Sequence, residues 1–290
     1  MHNKDQIQFW NGAGGQKWVA DNALMEVMLR DIGLRTIAAL APMAGDKALD
    51  VGCGCGSQTL DLARRIGSDG EVVGIDISAP MLALGKQLAE ASVHEVIADI
   101  TFVQADACDH DFRPGYFDLV YSRFGVMFFD DPVGAFSNLR SALKPNGRLA
   151  FVCWQGAEQN PFMTMPARAA LQYLPAPEPQ PPGAPGPFAF ADSGRVRSIL
   201  TDSGFSDIAI VATMQTLQFG ASKTFEAACA EMLSIGPVSR LLVGADEALK
   251  QLVFEAVCTV LEPFYTAESG LCFEGNFWIV TARNTPSGQL

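Results

Sequence analysis

The stretch LDVGCGCGSQ, residues 49–58, decides the fold of this chain, because a short apolar run ends near a carboxylate and three glycines follow at alternate positions. Gly52, Gly54 and Gly56 permit backbone conformations that other residues adopt only at a cost. An ordinary turn gains nothing from three such residues, so the spacing indicates a loop that lies close to a ligand. Asp50 places a negative charge just before that loop.

Short strands and helices alternate around this loop as far as residue 154. Apolar periodicity and the positions of Gly and Pro predict strands over 47–52, 71–78, 100–107, 117–124 and 148–154, and helices over 57–67, 79–92 and 131–147. Strands that alternate with helices pair in parallel through right-handed crossovers. The sequence therefore predicts a doubly wound α/β sheet.

The two ends of the chain follow other patterns. Residues 7–41 are predicted to be helical, and residues 175–187, which hold seven prolines in thirteen positions, are predicted to form a stiff extended loop. That loop is either a connector or a wall of the active site. Later periodicities predict helices over 192–205, 223–235 and 246–262, and strands over 207–219 and 276–284.

The composition narrows the class of protein. The 290 residues are 49% hydrophobic and 18% charged, which indicates a globular protein with a sizeable core. A formal net charge of −12 disfavours nucleic acid and anionic membranes as partners. The sequence has neither a signal pattern nor a run of 18 apolar residues, so we expect no membrane insertion and a cytoplasmic location. The seven cysteines lack disulfide-framework or metal-ligand spacing, which predicts buried free thiols and no metal site.

Asp50 restricts the kind of ligand that the glycine loop can hold. Ser57 stands where the dinucleotide fingerprint G-x-G-x-x-G, counted from Gly52, has its third glycine. A carboxylate at the strand end also repels a pyrophosphate, by about 1–4 kcal/mol at ~4 Å, and attracts an ammonium group. A nicotinamide-dependent dehydrogenase is therefore disfavoured, and a ligand with an amine and no phosphate is expected.

Two further acidic residues follow at the ends of the next predicted strands. Asp76 lies twenty residues after Gly56, where an acid accepts hydrogen bonds from a ribose diol. Asp106 is placed to accept from the exocyclic amine of adenine, and Ile77 and Met81 to pack against the face of the base. The expected ligand thus carries an amine, a ribose and an adenine.

The motifs together resemble a known family. LDVGCGCGSQTLDLA, VVGIDIS, VQADA, FDLVYSRFGVMFF and LRSALKPNGRLAFVCW, spread over residues 47–154, resemble class I S-adenosylmethionine-dependent methyltransferases of the ubiquinone/menaquinone-biosynthesis-like subgroup, methyltransferase domain 11/25 type. FWNGAGGQKW and PPGAPGPFAFAD resemble bacterial members of that subgroup. The resemblance implies an enzyme of Rossmann-like α/β fold, with a doubly wound seven-stranded sheet, parallel with an antiparallel edge strand, and a helical cap.

The resemblance also implies a division of the chain. Residues 1–45 are expected to form an N-terminal helical lid, and residues 46–155 the S-adenosylmethionine-binding core. Residues 156–290 are expected to hold the remaining core strands, with a cap insertion at about 222–265. The strands predicted over 207–219 and 276–284 would be an antiparallel pair at one sheet edge.

The implied cofactor is S-adenosyl-L-methionine, and the implied product is S-adenosyl-L-homocysteine. In the family pattern Asp50 and the loop backbone hold the methionine part, Asp76 takes the ribose hydroxyls, and Asp106 and Ala107 frame the adenine. Ser122 and Arg123 lie beside the methionine part and open the acceptor pocket. The candidate cofactor-binding residues are Trp10, Trp18, Asp50, Gly52, Cys53, Gly54, Asp76, Ile77, Met81, Asp106, Ala107, Ser122 and Arg123.

Aromatic side chains are candidates for holding the positive sulfonium by cation–π contact. They are Trp10, Trp18, Phe124, Phe128 and Phe129; the three phenylalanines have core packing as their alternative. The polar, glycine-rich segment around Trp10 is a candidate lid over the donor.

Methyl transfer is an in-line displacement that depends mainly on placing the acceptor about 3 Å from the methyl group and excluding water. No catalytic residue is identified, and the candidates are Arg123, His110, Glu158 and Tyr265. No metal-binding set is evident, so metal-independent transfer is expected.

The apolar predicted cap helices favour a partly apolar small-molecule acceptor, methylated at O, N or C. Two other functions stay open: a protein or peptide methyltransferase, and a non-methylating S-adenosylmethionine-binding protein on the same scaffold. The sequence also leaves a homodimer open.

Overall fold

A computed structural model describes residues 3–94, 98–177, 181 and 183–286. The chain divides into two compact units. The first comprises residues 1–154, 183–212 and 278–290, and the second comprises residues 155–182 and 213–277. Part of the proline-rich loop predicted over 175–187 lies outside the described residues.

Eight strands and eleven α-helices are present in the described residues. The strands are β1 (Lys47–Val51), β2 (Glu71–Asp76), β3 (Asp99–Gln104), β4 (Phe117–Arg123), β5 (Leu143–Trp154), β6 (Ser206–Phe219), β7 (Tyr265–Thr266) and β8 (Gly270–Arg283). The helices are α1 (Lys4–Asn11), α2 (Ala13–Ala20), α3 (Asn22–Leu40), α4 (Ser57–Ile66), α5 (Ala79–Ala91), α6 (Pro132–Ala142), α7 (Pro161–Ala170), α8 (Ser193–Asp202), α9 (Phe225–Ser234), α10 (Gly236–Leu241) and α11 (Glu247–Leu261).

The sheet confirms the predicted fold class. Seven strands follow the order β3-β2-β1-β4-β5-β8-β6, and the two-residue β7 pairs with β8. Strands β3, β2, β1, β4 and β5 pair in parallel with one another. Backbone bonds join Asn146 to Asn284 and Gln155 to Asn276, so β8 runs antiparallel to β5. The antiparallel strand therefore lies inside the edge, and β6 is the outermost strand.

The core of the first unit is packed between α3, α4 and the central strands. Apolar residues of these elements form one buried cluster that includes Ile37, Leu40, Leu62, Val72, Leu119 and Tyr121. In the second unit, α11 buries Val253, Val257 and Leu261, which lie one helical turn apart on one face. Leu252 of the same helix is 48% exposed, so the buried face of α11 is narrow.

Several predicted boundaries were wrong. The helix predicted over 131–147 ends at Ala142, and β5 already begins at Leu143. The pairing of β4 with β5 shifts register between Phe117 and Leu119, opposite the segment that contains Pro145. Proline lacks an N–H and tolerates such an irregular stretch of strand, and the helical periodicity concealed it.

Other differences concern elements that the sequence reasoning omitted or merged. The predicted helix over 7–41 is three helices, separated at Gly12 and Asp21. Helix α7 lies in a segment for which the sequence predicted no element, and proline occupies its first position, which a helix tolerates. Strand β8 begins at Gly270, six residues before the predicted strand, because the hairpin with β7 extends it.

The described helices include none that is both long and apolar enough to cross a membrane.

The close approach of two loops at Gly52 makes a stability prediction. Gly52 has φ +65°, and a Cβ there would lie 2.7 Å from the backbone Cα of Gly125. Gly115 has a similar φ of +60° with nothing within 4 Å of its Cβ position, so it serves as the control. We expect Gly115→Ala to cost about 1 kcal/mol of unfolding free energy, and Gly52→Ala at least about 2 kcal/mol, because two backbone segments must also separate.

Urea denaturation of both variants measures this difference. Equal losses in the two variants would mean that the Gly52–Gly125 approach does not constrain the loop.

Candidate active site

The site lies where the parallel strands end. Parallel strands place their carboxyl ends at one edge of the sheet, and ligands of open α/β sheets bind there. In the first unit β1 ends at Val51, β2 at Asp76, β3 at Gln104 and β4 at Arg123. The loops that follow these four strands carry most of the residues predicted from the sequence.

The glycine loop connects β1 to α4 in a tight, hydrogen-bonded turn. Gly52, Gly54 and Gly56 all have positive φ. The backbone N–H groups of Gly52 and Cys53 donate to the carbonyl of Ile75 on β2, at 2.9 and 3.1 Å. These bonds explain the alternate glycines, because every second residue lies in a region that favours glycine. Burial raises the pKa of the Cys53 thiol well above its ordinary value, so the thiol stays neutral.

Asp50 is almost completely buried at the end of β1, with 1% of its surface exposed. The Thr59 hydroxyl donates to Asp50 Oδ2 at 2.6 Å. Burial raises the pKa of Asp50 to about 7, although the Thr59 bond and the positive charge of Arg123 both lower it. A carboxyl group with a pKa near neutrality gains from a cationic ligand, which restores its charged form.

Asp76 holds the glycine loop and ends β2. Its Oδ2 accepts from the N–H of Gly54 at 2.8 Å, and its Oδ1 accepts from the N–H of Ser78 at 2.8 Å. Burial raises the pKa of Asp76 to about 6, and these backbone bonds oppose the increase. A carboxylate has about four acceptor positions, so the backbone bonds leave room for a hydroxyl group of a ligand.

Asp106 follows β3 by two residues and has an asymmetric environment. Its Oδ1 accepts from the Cys108 N–H at 3.0 Å and from Asn3 Nδ2 at 3.2 Å. Its Oδ2 is buried, and no hydrogen-bond partner contacts it in the described part of the chain. Such an oxygen is costly unless something donates to it, so the geometry suits an N–H donor such as an exocyclic amine. Ala107 is buried beside it, and its carbonyl accepts from Asn138.

Ser122 and Arg123 close β4 in different ways. The Ser122 hydroxyl donates to the Val51 carbonyl at 2.7 Å and accepts from the Gly125 N–H at 3.2 Å, so it joins two loops. The Arg123 guanidinium forms a bidentate ion pair with Glu26 of α3. The side chains of Arg123 and Glu26 are only 12% and 18% exposed. The ion pair raises the pKa of Arg123 against the opposing effect of burial.

The two predicted tryptophans lie close to the loops of the site. Trp10 makes edge-on ring contacts with Trp18 at 5.9 Å and with Phe128 at 5.4 Å between centroids. A Cβ on Gly54 would lie 3.9 Å from both Trp18 Nε1 and Met81 Sδ, which places these side chains at the glycine loop. The structure thus brings an aromatic cluster, Trp10, Trp18 and Phe128, to the same edge of the sheet. Phe124 and Phe129 are buried, in keeping with core packing.

The N-terminal helices are fastened to the loop after β2. The Ser78 hydroxyl donates to the Trp10 carbonyl at 2.6 Å. Asn11 Nδ2 donates to the Ile77 carbonyl at 2.8 Å, and Asn11 Oδ1 accepts from the Ala79 N–H at 3.0 Å. Gly15 is required for this fit, because a Cβ there would lie 1.9 Å from the Trp10 carbonyl oxygen.

The remaining candidates are His110 in the first unit and Glu158 and Tyr265 in the second. The ring of His110 packs on Phe112 at 4.7 Å. Glu158 is exposed, and the Tyr265 hydroxyl donates to the Lys223 carbonyl at 2.7 Å. Among the described residues, no group of three or more His, Cys, Asp or Glu side chains could hold a metal ion.

Sequence reasoning missed several residues that organise the site. Asn3, Asn11 and Glu26 come from the N-terminal helical region, whose periodicity gives no sign of long-range polar contacts. Thr59 and Ser78 carried a local signal, because each lies at the start of a helix that follows a predicted strand. Ser78 is indeed the N-cap of α5, where it accepts from the Met81 N–H.

Comparison with known proteins agrees with this geometry. Residues 49–151 match the family model described as a methyltransferase domain, which confirms the predicted resemblance over that segment. The chain is 36% identical over 120 residues to the 2-phytyl-1,4-naphtoquinone methyltransferase of Trichormus variabilis, an alignment covering 41% of this chain and 52% of the relative. It is 35% identical over 113 residues to the demethylmenaquinone methyltransferase of Staphylococcus carnosus, covering 39% and 45%. The matched segment spans about half the length of these relatives.

A solved structure extends the comparison to the fold. The phosphoethanolamine N-methyltransferase 2 of Haemonchus contortus, in complex with S-adenosyl-L-methionine, aligns with 97% of this chain and 60% of its own chain. The TM-score is 0.59 at 17% sequence identity. This likeness concerns the fold, and it confirms the Rossmann-like class.

The Arg123–Glu26 ion pair makes a prediction about stability. Glu26→Leu leaves a mostly buried guanidinium without its carboxylate, which costs about 3 kcal/mol of unfolding free energy. Adding Arg123→Met removes the buried charge as well, so the double variant should recover most of the loss. Urea denaturation of both single variants and the double variant measures the coupling, and additive losses would show that the two side chains do not stabilise each other.

Proposed function

We propose that this protein is an S-adenosyl-L-methionine-dependent methyltransferase that acts on a small-molecule acceptor by metal-independent, in-line transfer. The observation that carries the proposal is the arrangement of Asp50, Asp76 and Asp106 at the carboxyl edge of a sheet whose segment 49–151 matches a methyltransferase domain. Three carboxyl groups at one edge suit a ligand with an ammonium group, a ribose diol and an amino-purine, and disfavour a pyrophosphate.

Each part of the cofactor has a fitting partner in this chain. Asp50 would hold the ammonium group. Its raised pKa reflects the cost of a buried negative charge, and a bound cation lowers that cost. Asp76 would accept from the ribose hydroxyls, and Asp106 Oδ2 from the exocyclic amine of adenine. Ile77 and Met81 would flank the base, and Trp10 and Trp18 the sulfonium.

When bound, S-adenosylmethionine would supply a methyl group on a positively charged sulfur. The acceptor would bond to the methyl carbon as the carbon–sulfur bond breaks, and S-adenosylhomocysteine would leave. The protein's part is to bind, orient and exclude water. The glycine loop and Asp76 fix the nucleoside, and the aromatic cluster offers π-faces that favour the positive charge before transfer. Arg123 is held by Glu26 and is not placed to abstract a proton, so the chemistry suits an acceptor that is already nucleophilic.

The named relatives support a narrower acceptor class. Both methylate quinone-related compounds by their names, and we extend this to propose a partly apolar, aromatic or quinone-like acceptor here. We also propose that residues 1–45 act as a lid on the donor, because Asn11 and Ser78 fasten the N-terminal helices to the loop after β2. The cap assigned to about 222–265, the homodimer and the cytoplasmic location stay predictions.

Purified protein tests the activity directly. Incubated with S-adenosylmethionine and a panel of naphthoquinols, phenols, amines and basic peptides, it should add about 14 Da to a small molecule, detected by mass spectrometry. Methylation confined to peptides would support a protein or peptide methyltransferase instead. Tight binding of S-adenosylhomocysteine without any methyl transfer would support a non-methylating protein, and binding of NAD in its place would overturn the proposal.

The Asp76 assignment has a matched control. Asp76→Ala should weaken S-adenosylhomocysteine binding by about 1.5–3 kcal/mol in calorimetry, because charge-assisted hydrogen bonds are lost. Asp118 also accepts a backbone N–H, from Lys47 at 2.9 Å, but lies at the start of β4, away from the ligand edge. Asp118→Ala should leave the affinity unchanged. Equal effects in the two variants would refute the ribose assignment.

The raised pKa of Asp50 predicts a pH dependence of binding. With a pKa of about 7, Asp50 is mostly neutral at pH 6 and mostly ionised at pH 8. The ligand ammonium pairs with the ionised form, so affinity for S-adenosylhomocysteine should rise about tenfold from pH 6 to pH 8. Asp50→Asn should bind more weakly and keep only a small rise, from Asp76. An equal rise in Asp50→Asn would exclude Asp50 as its source.

A further inference from the structure

Asn3 is a buried polar residue near the beginning of the chain, although most of α1 after it is half-buried or exposed. Only 7% of its surface is exposed. Its backbone adopts φ 54°, a left-handed conformation that asparagine tolerates better than most residues. Its carbonyl accepts the N–H of Ile7 and begins α1. The side chain reaches Asp106, which follows β3, and Asp130, which follows β4.

The side chain of Asn3 joins two segments of the ligand edge. The side-chain Oδ1 of Asn3 accepts from the backbone N–H of Asp130 at 3.0 Å, and the backbone N–H of Asn3 donates to Asp130 Oδ2 at 2.9 Å. Its Nδ2 donates to Asp106 Oδ1 at 3.2 Å and to Cys108 Sγ at 3.1 Å. The Asp130 pairing fixes the plane of the amide, and the amide then fixes the position of Oδ1 of Asp106.

The two carboxylate oxygens of Asp106 therefore have different surroundings. Oδ1 accepts from both Asn3 and Cys108, whereas Oδ2 is buried and has no donor among the described residues. A carboxylate rotates freely unless its oxygens are distinguished by their partners. The Asn3 amide and the Cys108 N–H together distinguish them, and they leave Oδ2 as the acceptor for a ligand.

We propose that Asn3 is a positioning residue for base recognition: it orients Asp106 so that Oδ2 selects an amino-purine over an oxo-purine. The proposal rests on the proposed function, since it assumes that this edge binds the nucleoside of S-adenosylmethionine. Asn3 acts through Asp106 and touches no reacting atom.

The experiment compares two nucleosides that differ at one group. S-adenosylhomocysteine carries an exocyclic amine, and S-inosylhomocysteine carries a carbonyl oxygen in its place, which Asp106 Oδ2 would repel. Isothermal titration calorimetry should give wild-type protein about a hundredfold preference for the adenine compound, as for loss of a hydrogen bond to a charged group. Asn3→Gly, which keeps the left-handed backbone, should lower this preference to about tenfold or less. Asn3→Asp, similar in shape, replaces the Nδ2 donor by a carboxylate oxygen that repels Asp106, and it should lower the preference as well.

Asn11→Ala is the matched control. Asn11 also links the N-terminal helices to the site, because its side chain bonds to Ile77 and Ala79, but none of its side-chain hydrogen bonds within the described residues goes to Asp106 or Asp130. A residue that only holds the lid affects both nucleosides equally. Asn11→Ala should therefore weaken both and leave their ratio at the wild-type value.

The outcomes separate this inference from the proposed function. If Asn3→Gly and Asn3→Asp weaken both nucleosides equally, Asn3 is only a fastening and the inference is wrong. If wild-type protein binds both compounds equally, Asp106 does not recognise the amine, and the inference fails while the proposed function stands. If wild-type protein binds neither, both fail. Circular dichroism melting of each variant shows that it is folded at the titration temperature.

Discussion

The structure of the site depends on keeping carboxyl groups buried at the end of a parallel sheet. Burial penalises the charged form, and the raised pKa values of Asp50 and Asp76 record that penalty. Thr59, Arg123 and the backbone N–H groups of the glycine loop offset part of it. The part of the penalty that remains is relieved when a cation or a hydroxyl donor contacts these carboxyl groups. A site of this kind favours a positively charged nucleoside without phosphate before any specific contact is considered.

The same constraint explains the close packing around the loop. Asp76 can accept from the Gly54 N–H only if the loop turns back over β2, and that turn places three glycines in positive φ. The loop then lies so near Gly125 that a Cβ at Gly52 would clash. The Ser122 hydroxyl joins the two loops, because it donates to the Val51 carbonyl and accepts from the Gly125 N–H. Backbone shape and ligand chemistry are thus determined by the same few bonds.

The sequence predicted this central part well because its signals are local. Asp50, the glycines and Asp76 occur within strand–turn–helix patterns, and the alternation of elements places them at one edge. Residues that reach the site from afar left no such signal: Asn3 lies 103 positions from Asp106 in sequence, and Glu26 lies 97 from Arg123. The periodicity of the N-terminal helices shows which face is apolar, not which polar residue crosses to a strand. The boundary between α6 and β5 was predicted wrongly for a similar reason. Strand β5 continues through Pro145 with a shift of register, which the local periodicity does not show.

The residues proposed to bind the donor come mainly from one part of the chain. The segment that matches the methyltransferase domain, 49–151, contains all three carboxylates of the ligand edge. The N-terminal helices add contacts that refine this edge, through Asn3 and Asn11. The rest of the chain, including the whole second unit, lies outside the matched segment. Similarity in that segment therefore bears directly on the donor site, whereas the quinone-like acceptor rests on the names of the relatives.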